Sequence, residues 1–146
     1  MLRCGLLGET LGHSYSPMIH HELGEYDYRL FEIPKEDLDA FLRSDCWDGL
    51  NVTIPYKRDV MAFLDSVSPE AEAIGAVNCI RRTADGRLAG HNTDVIGLRA
   101  ALNELLGAAQ PVQALVLGTG GASQAVQYAL AERDIPFALV SREAAK

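Results

Sequence analysis

The stretch Gly49–Lys57, with the sequence GLNVTIPYK, is the part of the chain that decides the fold. Apolar and polar residues alternate from Leu50 to Ile54, which is the pattern of a half-buried β-strand. Pro55 suits the first turn of a helix, so the pattern predicts a strand that passes into a helix with Lys57 in its first turn. Polar groups at the end of such a strand lie at the sheet edge where α/β proteins bind ligands.

Strand and helix patterns alternate on both sides of this stretch. Strands are predicted over residues 2–8, 28–33, 78–82, 87–90, 112–117 and 137–140. Helices are predicted after Ser16-Pro17, around Leu38 to Leu42, from Pro69 to Ile74, from Thr93 to Gly107 and after the glycines at 118–121. We therefore predict an α/β protein, with an open, twisted, mixed sheet and flanking helices followed by an incomplete Rossmann-type, doubly wound parallel sheet.

The character of the sequence changes at residues 108–111, where Ala-Ala-Gln-Pro separates two kinds of strand. Beyond this point Val112–Leu117 is a nearly continuous apolar run, which is typical of a buried parallel strand. We predict one domain over residues 1–105 and the start of a second over residues 106–146. The second holds one strand–helix–strand unit, and a complete Rossmann half would need a further strand.

The composition argues against several classes of protein. The 146 residues carry a formal net charge of −7, whereas a nucleic-acid-binding surface needs a basic face. The sequence has neither an apolar run of 18 residues nor a signal-peptide profile, so we expect a soluble cytoplasmic protein. The three cysteines and four histidines lack the spacing of metal ligands, so we expect reduced thiols and no metal. His13 and His91 are interpreted as structural.

Ser14 and Ser16 lie two positions apart before a predicted helix. On an extended segment both hydroxyl groups would face the same side and could bind a carboxylate as neutral donors. Ser16 also suits the N-cap of the helix that follows, and the two roles compete for one oxygen atom. The residues themselves leave both roles open.

Five short segments, taken together, resemble the shikimate dehydrogenase family in identity, order and spacing. They are HSYSP at 13–17, GLNVTIPYK at 49–57, IGAVN at 74–78, GHNTD at 90–94 and GTGGA at 118–122. The resemblance implies an N-terminal domain that binds shikimate and a C-terminal Rossmann domain that binds NADP. It also implies reversible, NADPH-dependent reduction of 3-dehydroshikimate to shikimate, a step of aromatic amino-acid biosynthesis. Members of that family are substantially longer than 146 residues, so we expect this chain to hold only part of the cofactor domain.

The resemblance further implies which residues carry the chemistry. Lys57 would donate a proton and stabilise the alkoxide that develops during hydride transfer, and Asp94 would be its partner. Ser14 and Ser16 would bind the substrate carboxylate, while the ring hydroxyl groups would contact Thr53, Asn78 and Asn92. Each residue taken alone has a structural alternative, such as a solvated lysine for Lys57 or a first-turn helix acid for Asp94.

The segment Gly118–Ser123 follows a predicted strand and opens a predicted helix, which is the setting of a dinucleotide-binding loop. Ser123 replaces the third glycine of the usual pattern. Candidate cofactor contacts in this loop are Gly118, Gly120, Gly121 and Ala122. Ser141 and Arg142 follow the next strand, where an arginine suits the 2′-phosphate of NADP. An inward-facing Glu143 would repel that phosphate, so NADP is predicted while NAD or dual use stays open.

Two other functions are compatible with the motifs. A quinate or quinate/shikimate dehydrogenase would share most of them. A non-catalytic shikimate-binding module would keep the substrate pocket alone, but it would need neither Lys57 nor Asp94. The expected partners are shikimate or 3-dehydroshikimate and a second copy of the chain in a homodimer, with no nucleic acid and no membrane.

Overall fold

A computed structural model describes residues 1–12, 14–109 and 113–141 of the chain. The chain divides into two compact units: Met1–Ser68 with Val77–His91 forms unit 1, and Pro69–Ala76 with Asn92–Lys146 forms unit 2. Residues 92–105, which we had assigned to the substrate domain, therefore pack within unit 2. The predicted boundary at residue 105 separates a substrate-binding domain from a cofactor-binding domain, whereas the two units are defined by packing. The predicted boundary stays a prediction.

Unit 1 is built on a six-stranded sheet. Its strands are β1 (Arg3–Gly8), β2 (Asp27–Glu32), β3 (Gly49–Val52), β4 (Ser66–Val67), β5 (Cys79–Arg82) and β6 (Leu88–His91). Their order across the sheet is β2-β1-β3-β5-β6-β4. β1 pairs in parallel with both β2 and β3, and β4 pairs in parallel with β6. β5 runs antiparallel to β3 and to β6, so the sheet is mixed, as predicted.

The helices of unit 1 are short. They are α1 (Ser16–Leu23), α2 (Leu38–Arg43) and two 3₁₀-helices, Lys35–Asp37 and Asp59–Phe63. Leu38 and Leu42 lie one turn apart on α2, and both are buried. The inward-facing residues of the central strands complete the same core, because Leu50, Val52 and Ile80 are each at most 2% exposed. The alternation read from the sequence of β3 is therefore the alternation between core and surface.

Unit 2 contains three helices and two strands within its described residues. They are α3 (Pro69–Ile74), α4 (Asp94–Leu106), β7 (Ala114–Leu117), α5 (Gly121–Ala131) and β8 (Phe137–Val140). β7 and β8 pair in parallel, as a strand–helix–strand unit requires. Val95 of α4 and Ala125 and Ala129 of α5 share one buried cluster with Ile74. The predicted bounds of α3 and β8 are confirmed.

Among the described residues, nothing covers one face of the β7–β8 pair. Val116 is 5% exposed, whereas its neighbours Leu115 and Leu117 are 63% and 74% exposed. Val140 of β8 pairs in register with Leu117, faces the same side and is 48% exposed. The continuous apolar run predicts burial on both faces, and the structure supplies cover on only one.

The predicted helix after Pro55 is wrong. Residues 54–58 form a turn, and the 3₁₀-helix begins only at Asp59, so Lys57 lies in a turn rather than in a first helical turn. The Lys57 carbonyl accepts a hydrogen bond from the Val77 N–H at 2.7 Å. This bond joins the turn to a distant segment of the chain, whereas in a helix the carbonyl would bond to the next helical turn. A long-range contact therefore overrides the local signal of the proline.

The N-cap predicted for the first helix is also shifted by one residue. Tyr15 is the N-cap of α1, and Ser16 is its first helical residue. The Tyr15 side chain makes no capping hydrogen bond, while Ser14 Oγ accepts one from the Ser16 N–H. The competition that we expected between capping and ligand binding at Ser16 therefore does not arise.

Candidate functional site

The polar residues of the GLNVTIPYK stretch lie at one edge of the unit 1 sheet. β3 ends at Val52, and the chain continues through Thr53 into the turn that holds Lys57. β5 runs antiparallel to β3 and begins at Cys79, so Asn78 lies beside the end of β3. The structure brings the backbone of Thr53, Lys57 and Asn78 to the same edge of the sheet.

Main-chain hydrogen bonds join these segments. The Val52 N–H donates to the Asn78 carbonyl at 2.8 Å, and the Val77 N–H donates to the Lys57 carbonyl at 2.7 Å. We call this pair the edge bonds. Because buried backbone groups must be paired, the edge bonds fix the backbone on which Lys57 and Asn78 stand.

Tyr56 anchors the turn that carries Lys57. Its side chain is fully buried, and its hydroxyl donates to the Ile33 carbonyl at 2.6 Å. Burial raises the pKa of Tyr56, so the hydroxyl keeps its proton and remains a donor. Its backbone N–H donates to the Thr53 carbonyl at 2.9 Å, which closes the turn. Lys57 is half-buried next to this anchor, so its backbone has little freedom.

Gly8 at the end of β1 allows Thr53 to approach. A Cβ on Gly8 would lie 3.1 Å from Thr53 Cγ2 and 3.3 Å from the Ile54 carbonyl oxygen. The Thr53 N–H donates to the Leu7 carbonyl at 2.9 Å across the same gap. Sequence reasoning did not single out Gly8, because its role arises from a neighbour 45 positions away.

Ser14 and Ser16 are in contact. The Ser14 hydroxyl accepts a hydrogen bond from the Ser16 N–H at 3.2 Å and donates to Ser16 Oγ at 3.1 Å. The residue between them, Tyr15, has helical backbone angles, so a turn rather than an extended segment brings the hydroxyl groups together. Both serines are half-buried. The two hydroxyl groups lie close together, as predicted, but a turn rather than an extended segment brings them there.

Asn92 and Asp94 lie at the start of α4 in unit 2. Asn92 is 3% exposed, its amide donates to the Ala76 carbonyl at 2.9 Å, and its Oδ1 accepts from the Val95 N–H at 3.2 Å. Asp94 is the first residue of α4, where the helix dipole favours a negative charge. Asn92 therefore fixes the helix start that carries Asp94.

A hollow in unit 2 connects Asp94 with the start of α5. It is lined by Asp94, Gly97 and Ala101 from α4 and by Ala122 and Val126 from α5. The glycine and alanine side chains leave room between the two helices. The α4 wall of the hollow thus carries the acidic Asp94. The opposite wall is formed by α5, from the first turn after the glycine-rich loop onward.

The glycine-rich loop has the predicted setting. It joins the end of β7 to the start of α5, and Gly118 has φ +104°, a conformation that favours glycine. Gly120 is the N-cap of α5, and no side chain caps this helix. A Cβ at Gly118 or Gly120 would meet nothing within 4 Å, so open space borders both residues. Backbone N–H groups at such a helix start suit an anionic ligand such as a pyrophosphate.

The second part of the predicted cofactor site follows β8. Ser141 lines a hollow together with Gly118, Thr119 and Gly120, and the Gly118 N–H donates to the Val140 carbonyl at 2.8 Å. Arg142 and Glu143 lie outside the described residues. Ser123, which replaces the third glycine, is buried and accepts a hydrogen bond from Gln127 at 3.2 Å.

No group of three or more His, Cys, Asp or Glu side chains with the geometry of a metal site occurs in the described part of the chain. Among the same residues, no helix is both long enough and apolar enough to span a bilayer.

The fold and the site define a class. This is an α/β protein in which a mixed sheet presents polar residues at one edge and is followed by a strand–glycine loop–helix–strand unit of the kind found in dinucleotide-binding proteins. The family model described as the shikimate dehydrogenase substrate binding domain matches residues 6–80. The chain belongs to that family.

Individual relatives support the same assignment. The shikimate dehydrogenase (NADP(+)) of Clostridium beijerinckii is 45% identical, over 95% of this chain and 54% of its own length. A shikimate 5-dehydrogenase of Thermus thermophilus, solved in complex with NADP(H) and shikimate, is 40% identical with a TM-score of 0.83, covering 97% of this chain and 56% of that one. This chain therefore spans about half the length of the relatives that it matches.

A quinate dehydrogenase is also similar. The enzyme from Corynebacterium glutamicum, solved in complex with NAD, is 32% identical with a TM-score of 0.83, covering 96% of this chain and 55% of that one.

We predict that Asn92→Ala lowers the free energy of unfolding by about 2 kcal/mol or more, because it leaves a buried carbonyl and a buried N–H without partners. Asn103→Ala is the matched control. Asn103 is exposed on the same helix, where it accepts one hydrogen bond from Arg133, and its loss should cost less than about 1 kcal/mol. Urea denaturation compares the two variants, and equal costs would contradict the role given to Asn92.

Proposed function

We propose that this chain carries the substrate-binding part of a shikimate dehydrogenase, which reversibly reduces 3-dehydroshikimate to shikimate with NADPH. The observation that supports this best is the arrangement at the unit 1 sheet edge. There a lysine, a threonine and an asparagine stand on backbone segments that are joined by the edge bonds. A site whose groups are already placed loses little entropy when a small polar ligand binds.

The chemistry of shikimate fits the donors present in unit 1. Shikimate has one carboxylate and three ring hydroxyl groups, and the chain as a whole carries a net charge of −7. Binding of an anion must therefore rest on local donors that overcome an unfavourable overall field. We assign the carboxylate to the hydroxyl groups of Ser14 and Ser16, and the ring hydroxyl groups to Thr53 and Asn78.

Lys57 and Asp94 are the proposed catalytic residues. Hydride addition to a ketone places negative charge on the carbonyl oxygen, and this oxygen then requires a proton. The Lys57 ammonium can stabilise that charge and supply the proton. Asp94 would act as its acidic partner in proton transfer. Both ends of the Asn92 amide bond backbone groups, so its larger contribution in this proposal is to hold Asp94 in place.

The glycine-rich loop fits the cofactor of this reaction. When bound, the nicotinamide supplies the hydride. Gly118, Gly120, Gly121 and Ala122 would border its pyrophosphate at the start of α5, where the helix dipole favours negative charge. Ser141 and Arg142 would lie on the ribose side, where an arginine can pair with the 2′-phosphate of NADP.

Three further statements remain predictions from the sequence. They are the division into a substrate domain over residues 1–105 and a cofactor domain from residue 106, the cytoplasmic location, and the homodimer. The expected absence of nucleic acid from the partners rests on the acidic composition, and that of a membrane rests on the lack of an apolar run of 18 residues; both stay predictions.

We predict that Lys57→Ala lowers kcat about a hundredfold or more while changing the KM for shikimate much less, because the interaction strengthens as charge develops on oxygen. Lys35→Ala is the matched control, since Lys35 is a solvent-exposed lysine paired with Asp59 at 3.0 Å. Steady-state rates in the complete natural protein provide the test. A near-normal kcat for Lys57→Ala would remove this residue from the proton transfer.

We predict at least a several-fold preference for NADPH over NADH and for shikimate over quinate. Arg142→Ala should weaken NADPH and leave NADH almost unchanged, because only NADPH carries the 2′-phosphate. Rates with all four combinations of substrate and cofactor measure both preferences. Equal use of the two cofactors by the unmodified protein would show that Glu143 or another group offsets the arginine.

A further inference from the structure

The loop of residues 9–12 leads from β1 to the segment that carries Ser14 and Ser16. It has a specific shape, since Gly12 has φ +49°, a value that other residues rarely adopt. Glycine also has the greatest backbone freedom, so a loop that turns at a glycine keeps one shape only where other contacts hold it. Ser14 follows Gly12 by two positions, so the shape of this loop determines where the proposed carboxylate donors lie.

Glu32, the last residue of β2, holds this loop. The Leu11 N–H donates to Glu32 Oε1 at 2.6 Å, and the Gly12 N–H donates to the same oxygen at 3.4 Å. We call these two interactions the latch bonds. A carboxylate that accepts from a backbone N–H forms a charge-assisted bond, which is shorter and stronger than a neutral one. The bond from Leu11 therefore carries most of the restraint.

The backbone from which the Glu32 carboxylate extends is itself fixed. Glu32 pairs in register with Gly8 of β1. The next residue, Ile33, donates through its N–H to the Gly8 carbonyl at 3.0 Å, and its carbonyl accepts the Tyr56 hydroxyl at 2.6 Å. The end of β2 therefore contacts both the loop before the serines and the anchor of the turn that carries Lys57.

The latched loop reaches the sheet edge of the candidate site. A Cβ on Gly8 would lie 2.5 Å from Leu11 Cδ2 and 3.1 Å from Thr53 Cγ2, so both side chains lie over this glycine. Leu11 is half-buried in this position. The residue whose N–H is bonded to Glu32 therefore also packs where β3 ends and Thr53 begins the site.

We infer that Glu32 is a positioning residue for the substrate carboxylate: through the latch bonds it fixes the loop of residues 9–12 and so keeps Ser14 and Ser16 beside the sheet edge that carries Thr53. The inference rests on the proposed function, which assigns the carboxylate to these two serines. Glu32 belongs to none of the five sequence motifs, and it acts through the backbone of the loop rather than by touching the substrate.

The charge of Glu32 allows two roles to be separated by the sign of an effect. The chain carries a net charge of −7, and a carboxylate near an anionic ligand weakens binding if its charge alone matters. Removing Glu32 should then strengthen the binding of shikimate. If Glu32 acts through the latch bonds, its removal frees the loop, and the entropy lost when the loop is ordered again weakens binding.

Isothermal titration calorimetry with shikimate compares the unmodified protein with three variants. Glu32→Ala removes the acceptor of the latch bonds, and affinity should fall about three- to tenfold, the size expected for one lost hydrogen bond. Glu32→Gln keeps an oxygen that can accept from the Leu11 N–H, so its affinity should stay within about twofold of the unmodified protein. Glu9→Ala is the matched control, because it removes an exposed glutamate of the same loop and leaves the latch bonds intact, so it should not weaken binding.

Two further measurements separate positioning from a general structural effect. The loss in Glu32→Ala should be absent for a shikimate analogue whose carboxylate is replaced by a primary alcohol, because the alcohol cannot accept charge-assisted bonds from both serines. In ligand-free Glu32→Ala the amides of Leu11 and Gly12 should exchange hydrogen faster, while those of Val52 and Val77 should be unchanged.

The outcomes distinguish this inference from the proposed function. If the unmodified protein does not bind shikimate, the proposed function and the inference that rests on it both fail. If the unmodified protein binds and Glu32→Ala binds equally well or more tightly, only the inference fails. An equal loss for shikimate and for the alcohol analogue would also overturn it, as would unchanged exchange of Leu11 and Gly12 in Glu32→Ala.

Discussion

The edge bonds between the end of β3 and the segment before β5 are the constraint on which the candidate site depends. They place the carbonyl groups of Lys57 and Asn78 in the hydrogen bonding of the unit 1 sheet, although neither residue lies within a strand. Tyr56 reinforces them through its buried ring and its bond to the Ile33 carbonyl. The position of the proposed proton donor is therefore determined by the same interactions that stabilise the fold.

This dependence explains which parts of the fold could be predicted from the sequence. Helix α3 and strand β8 have the predicted bounds, because proline at the helix start and a continuous apolar run are local signals that tertiary contacts reinforce. The turn at Lys57 could not be predicted, because its conformation follows from a bond to Val77, twenty positions along the chain. The two-residue strand β4 is too short for any periodicity to appear.

The candidate site shows the same division between local and long-range signals. The five motifs identified the residue types and the family, since each motif is a short and specific string. They could not show that Asn92 is committed to the backbone through both ends of its amide, or that the Tyr28 hydroxyl donates to Asn51 Oδ1. These relations join residues far apart in sequence, and side-chain hydrogen bonding of this kind leaves no periodic trace.

We propose that the candidate site for shikimate at the unit 1 sheet edge is already formed in the absence of ligand. Amide hydrogen exchange of this chain with and without shikimate tests it most directly. The amides of Val52 and Val77 should exchange slowly without ligand, and shikimate should further slow exchange at residues 14–16, 53–57 and 77–78. Rapid exchange of Val52 and Val77 without ligand, or a response to shikimate confined to residues 113–141, would contradict the claim.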